Sequence, residues 1–188
     1  MANSGLEWET LTSHVAYSCD GFDIVTETVQ LPDETQTDFD YLSEPESVCV
    51  LPFTPDRDVV CIEEWRQAVS RVNFGLPVGT TEPDDDDVEF AARRELAEET
   101  GYEADGLDRL VTVEPSNGLA DSVMHFFVAT DCRPTADQEL DHDESIRVRT
   151  TAYEDLLEEV EAGSIRDGRA VLAVSYYELF YESSGPRT

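Results

Sequence analysis

Ala91-Ala92-Arg93-Arg94-Glu95-Leu96-Ala97-Glu98-Glu99-Thr100-Gly101-Tyr102 is the stretch of this chain that says most about its fold. Its spacing predicts a helix over Val88–Thr100. The run Asp84–Asp87 would complement the positive end of the helix dipole, and Gly101 supplies the stop. At about 100° per residue, Glu95, Glu98 and Glu99 fall within an arc of about 100°, while Ala92 and Leu96 anchor the adjacent stripe in a core. Three stacked carboxylates repel one another without a counter-charge, and a hard divalent cation such as Mg²⁺ takes oxygen ligands. In a chain this acidic the same spacing also describes a solvated helix face, so spacing alone leaves both readings open.

Upstream of the helix, Val48–Phe53 and Asp58–Glu63 read as strands joined by the turn Thr54-Pro55-Asp56-Arg57. Downstream, Leu110–Val113 and Ser122–Thr130 read as strands, and an acidic loop, Asp137–Glu144, leads into a third, Ser145–Thr151. Two helices, Tyr153–Ala162 and Arg169–Tyr181, close the chain. Strands interleaved with helices predict an α/β or α+β class with a mixed sheet over residues 47–188. Residues 1–46 are different in character. His14–Ser18, Phe22–Val29 and Asp38–Leu42 predict a small antiparallel β appendage.

The chain has 188 residues, of which 40% are hydrophobic, enough for one domain with a core and a small appendage. Acidic residues number 43 against 12 basic ones, for a formal charge of −31. A sequence-independent nucleic-acid binder or an anionic-membrane binder needs the opposite balance. All twelve cations are arginine, and lysine is absent. That pattern points to a halophilic protein whose self-repulsion is screened by high salt. No run approaches the ~20 apolar residues of a membrane span, and the first ten residues lack the pattern of a signal peptide. Cys19, Cys49, Cys61 and Cys132 show no CxxC pair and read as buried small hydrophobes; His14 and His125 read as structural. The expected location is cytoplasmic, with reduced thiols.

The string Arg94-Glu95-Leu96-x-Glu98-Glu99-x-Gly101-Tyr102 resembles the core of the Nudix hydrolase box, G-x5-E-x7-R-E-U-x-E-E-x-G-U, where U is apolar or aromatic. Counting back from Arg94 puts Asp86 at the first glutamate position, with Gly79 one residue too far upstream. Ile62-Glu63-Glu64-Trp65-Arg66 and Gly75-Leu76-Pro77-Val78-Gly79 resemble the E-Q-aromatic-R and E-L-P-A-G segments of the family's ADP-ribose and ADP-sugar pyrophosphatase branch. Pro115–Ser122 and Asp143–Val148 are similar to later segments of that branch.

This resemblance implies a Nudix α/β/α sandwich and a homodimer formed through the N-terminal sheet. It implies Mg²⁺-dependent hydrolysis (with Mn²⁺ as a possible substitute) of the diphosphate in ADP-ribose or a related nucleoside-diphosphate sugar. Glu95 and Glu99 become the principal metal ligands, assisted by Glu98 and by the Val78 carbonyl. Glu144 holds metal or activates water, and the base is one of Asp141, His142, Asp143 and Glu144. Arg94 orients the box glutamates, and Arg66 clamps the diphosphate unless it is an ordinary surface ion pair. Trp65 stacks on the base or packs in the core. The rival reading is a non-catalytic Nudix-like sensor of nucleotide sugars.

Overall fold

The computed structural model describes residues 5–182; residues 1–4 and 183–188, at the outer ends of the two expected segments, lie outside the described residues. The chain divides into two units at Glu46/Ser47, and Glu114–Val123 joins the N-terminal one.

In the N-terminal unit β1 (Glu9–Ser18), β2 (Asp23–Gln30) and β3 (Gln36–Ser43) form an antiparallel sheet in the order β1-β2-β3. All three expected strands are present; the first and third are longer than expected, and the second is shifted by one residue at the same length. Threonine–aspartate pairs tie β2 to β3, Thr26 to Asp40 at 2.6 Å and Thr28 to Asp38 at 2.9 Å. The 114–123 segment is held by Leu42 N–H donating to Leu119 O at 3.0 Å and by Ser122 Oγ donating to Glu44 at 2.5 Å. Ser122 therefore belongs here rather than to the strand expected to begin with it.

The second unit contains β4 (Ser47–Pro52), β5 (Asp58–Arg66), β6 (Arg71–Gly75), β7 (Val78–Thr80), α1 (Val88–Thr100) and β8 (Tyr102–Glu103). It continues with β9 (Gly106–Val113), β10 (Met124–Thr130), β11 (Arg133–Pro134), β12 (Ile146–Ala152), α2 (Tyr153–Glu161) and α3 (Gly168–Tyr176). The main sheet runs β7-β4-β10-β9, with β4 parallel to β10 and the outer pairs antiparallel. A second, antiparallel sheet runs β12-β5-β6, and β8 pairs with β11.

Strand alternation produces the layers. Val48 and Val50 of β4, with Phe127 and Ala129 of β10, bury one face against Ala91, Ala92 and Leu96 of α1. The intervening residues Cys49, Leu51, Phe126 and Val128 bury the other face against Tyr153, Leu156, Ala170, Ala173 and Val174 of α2 and α3. A mixed sheet between helices is the α/β/α sandwich that the resemblance implied. The short β6, β7, β8 and β11 were not expected, since two to five residues carry too little period to register. The last helix also differs, turning π-helical over Tyr177–Glu182. There Tyr177 packs on Phe53, Tyr153 and Tyr181.

Cys49, Cys61 and Cys132 are buried and free, as expected; Cys19 is exposed, contrary to expectation, because its strand end meets no core. His125 is buried with Nδ1 2.9 Å from Thr112 Oγ1, whereas His14 lies on the exposed β1.

Candidate active site

Both ends of α1 are determined locally. Asp87 caps the start, its Oδ1 accepting from the N–H groups of Glu89 at 2.9 Å and Phe90 at 2.8 Å. Gly101 ends it at φ 72°, its N–H donating to Ala97 O at 2.7 Å. A Cβ on Gly101 would stand 2.6 Å from Ala136 O, so close approach and backbone angle both demand glycine.

With Ala92 and Leu96 buried under the sheet, Glu95 and Glu99 turn toward β7. Glu99 accepts from the Val78 N–H at 2.9 Å. Val78, expected to act through its carbonyl, thus meets the helix through its amide. The Glu95 carboxylate lies directly over Gly79, where a Cβ would fall 1.9 Å from its carboxyl carbon. That close approach is the physical reason for a glycine at this point of the box.

Arg94 gathers the acidic groups. It donates to Asp85 through Nε at 3.1 Å and Nη2 at 3.0 Å, and to Glu95 and Glu98 through Nη1 at 2.9 Å each. Nη2 also donates to Thr80 O at 2.9 Å. The arginine thus bonds three carboxylates at once. Its loop partner, however, is Asp85; Asp86 is exposed. Counting forward from Gly79 by the box spacing reaches Asp85, so the extra residue lies between Asp85 and Arg94 rather than before the first acidic position. Hydrogen bonding to Arg94 holds the Asp85 carboxyl below its ordinary pKa.

Glu99 is 2% exposed. Burial pushes its pKa up to about 9, against the pull of the Val78 N–H, and Glu95, Glu144 and Glu64 add to the rise. Burial likewise pushes Glu95 up to about 7; Arg94 opposes this, and Glu98 and Glu144 reinforce it. Ionising both acids therefore calls for a nearby positive charge. Among the described residues, no three acidic, histidine or cysteine groups converge as a ready metal cage. Glu95 and Glu98 are turned onto Arg94, and Glu99 onto Val78. The donors are nevertheless all oxygen, which fits a hard cation once Glu95 and Glu98 exchange the guanidinium for it.

The acidic loop is tied to the end of α1. Gln138 Nε2 donates to Glu99 O at 2.6 Å, and the Glu139 N–H donates to Glu98 O at 2.9 Å, satisfying last-turn carbonyls. Glu144 closes a turn by accepting from the Asp141 N–H at 3.0 Å. Its charge raises the pKa of Glu95, Glu99 and Glu64. Asp141, His142 and Asp143 are exposed, with His142 Nδ1 3.7 Å from Asp143 Oδ1.

Alternation along β5 separates the two expected substrate residues. Arg66 shares a face with Ile62 and Glu64, and its Nη2 lies 2.6 Å from Glu64 Oε2. Trp65 points the other way, 48% exposed, with Nε1 donating to Gln67 Oε1 at 3.0 Å. It does not pack in the core; with Val72, Leu140, Ile146 and Arg147 it lines a cavity of about 420 Å³. Glu64, buried on the Arg66 side, was missed; its one signal in the sequence is the departure from glutamine in the E-Q-aromatic-R segment.

Residues 44–171 match the NUDIX domain family. The chain is 30% identical over 175 residues to an ADP-ribose pyrophosphatase of Bacillus subtilis (strain 168), covering 93% of this chain and 94% of that one. It is 36% identical over 133 residues to a GDP-mannose pyrophosphatase of Klebsiella pneumoniae subsp. pneumoniae, covering 68% of this chain and 67% of the other. A crystal structure of an ADP compounds hydrolase shares the fold, with a TM-score of 0.82 at 21% identity, over 96% of this chain and 97% of that one. The family match and the near full-length kinship with the Bacillus protein agree with what α1 already indicates: this chain belongs to the Nudix family.

Proposed function

We propose that this Nudix pyrophosphatase hydrolyses the diphosphate of ADP-ribose or a related nucleoside-diphosphate sugar with Mg²⁺ as cofactor, Mn²⁺ substituting for it. From ADP-ribose the products are AMP and ribose 5-phosphate. The observation that carries this reading is the pair of Glu95, half-buried over Gly79 and held by Arg94, and Glu99, buried against the Val78 N–H. Kinship with pyrophosphatases acting on ADP-ribose and GDP-mannose supports the substrate class.

Glu95 and Glu99 hold the cation, assisted by Glu98, the Val78 carbonyl and Glu144. A divalent cation held there would neutralise diphosphate oxygens and acidify a water for in-line attack at phosphorus. Glu144 takes the proton from the attacking water, because it is half-buried where the other three candidate bases, Asp141, His142 and Asp143, are exposed. Arg94 is a positioning residue, and Arg66 clamps the diphosphate. Trp65 presents its ring to the base from the far face of β5, so Trp65→Ala should raise KM several-fold without lowering kcat; an unchanged KM removes it from the site.

We further propose a homodimer joined through the N-terminal sheet and a working environment in a saline cytoplasm. Trp8, Leu11, Val15, Tyr17 and Phe39 are all exposed in that unit, in keeping with a surface that a second copy covers. Light scattering in molar KCl should give twice the chain mass; a monomer would contradict the dimer.

The substrate test is incubation with Mg²⁺ in molar KCl of ADP-ribose, ADP-glucose, GDP-mannose and NADH, with chromatography of the products. Cleavage of at least one to a nucleoside monophosphate is expected. Folded protein that leaves all four intact would overturn the reading.

A further inference from the structure

Glu64 is 7% exposed, and the reaction above gives it no part. Its Oε2 lies 2.6 Å from Arg66 Nη2, with the carboxylate side chain 9% exposed and the guanidinium side chain 34% exposed. One end of the pair is therefore sunk in the protein while the other reaches out. Arg66 and then Arg169 are the cations that favour its ionised form, against burial, Glu144 and Asp167. Arg169 is already engaged by Asp167, through Nε at 3.0 Å and Nη2 at 2.6 Å. Arg66 is thus the arginine with which Glu64 pairs.

A free arginine side chain must give up rotamer freedom to meet a diphosphate with both prongs. A close ion pair with a buried carboxylate narrows that freedom before substrate arrives. The glutamine of the E-Q-aromatic-R pattern would supply only a neutral bond. We infer that Glu64 is a positioning residue that grips one edge of the Arg66 guanidinium and turns the remaining N–H donors toward the substrate diphosphate. The inference rests on the diphosphate reading of the site. Because the pair is neutral overall, its contribution to binding is directional rather than one of net charge.

The test is a double-mutant cycle of Glu64→Ala, Arg66→Ala and both together, read as KM and kcat on the substrate that wild type cleaves. Affinity for ADP, measured by calorimetry, follows the same cycle without turnover. Each single change should raise KM about tenfold with kcat nearly unchanged, since the diphosphate is charged before and during reaction. The double variant should be no worse than Arg66→Ala alone. Melting curves report folding; should Glu64→Ala fail to fold, Glu64→Gln, which keeps the volume, replaces it in the cycle. Effects that multiply, or a Glu64 variant with wild-type KM, overturn the inference alone. Coupled ADP affinities in a protein that cleaves no diphosphate overturn the reaction and leave the pairing role standing. Wild type that neither cleaves substrate nor binds ADP overturns both.

Discussion

Gly79 and Glu95 show how one missing side chain makes room for chemistry. The carboxylate occupies the volume a Cβ would take, so Gly79→Ala must push Glu95 aside. Turnover should fall about a hundredfold with the melting temperature little changed, as expected when a reacting group is displaced by about an ångström. Full activity in that variant would remove Glu95 from the site. Glu99 and Glu95 also set a pH dependence. Burial raises both folded-state pKa values, to about 9 and about 7, above the ordinary value of 4.5. Metal-free protein therefore keeps this contribution to stability below about pH 4.5 and loses it as pH rises through 7 and 9. Mg²⁺ should cancel the loss, so the rise in melting temperature on adding it should grow between pH 5 and pH 9 and release protons on binding. A rise that is flat with pH would contradict the burial argument.

At the scale of the element, α1 was legible from end to end because its signals are local. The cap, the apolar stripe and the glycine stop all lie within the sequence of the helix and its flanks, and the helix runs Val88–Thr100 as expected. Asp87→Ala should cost about 1 kcal/mol in denaturant unfolding through loss of the cap. Gly101→Ala should cost more than about 2 kcal/mol, because left-handed strain adds to the collision with Ala136 O. A smaller cost for Gly101→Ala than for Asp87→Ala would reverse that order and contradict the geometry. Asp85 was less legible. Its role depends on which side of it the loop has grown, and only the tertiary bond to Arg94 decides that. β6 and β7 were hidden for a related reason: each is defined by pairing with β5 or β4 rather than by its own pattern. Trp65 and Arg66, neighbours in sequence, stand on opposite faces of β5, a separation set by the pleat.

For the molecule as a whole, alternation in β4 and β10 carries the sandwich, and it was visible as apolar runs flanked by helices. Glu114–Val123 was not assignable to the N-terminal unit from sequence, since it is held there by hydrogen bonds from residues more than seventy positions away. The charge of −31 acts at this scale too. Self-repulsion among carboxylates is long-ranged in dilute buffer and screened within about 3 Å at molar salt. The melting temperature should therefore climb by about 10 °C or more from low salt to molar KCl; an unchanged melt would contradict the halophilic reading.

Whether Glu95 and Glu99 of α1 hold a cation for diphosphate cleavage comes down to a single rate. It is the Mg²⁺-dependent rate of AMP release from ADP-ribose in molar KCl, wild type beside Glu99→Gln. The amide keeps the volume of Glu99 and an oxygen for the Val78 N–H. The variant should keep the wild-type melting temperature while its rate falls by about a hundredfold or more. A Glu99→Gln protein that releases AMP at the wild-type rate would contradict the cation role of Glu99.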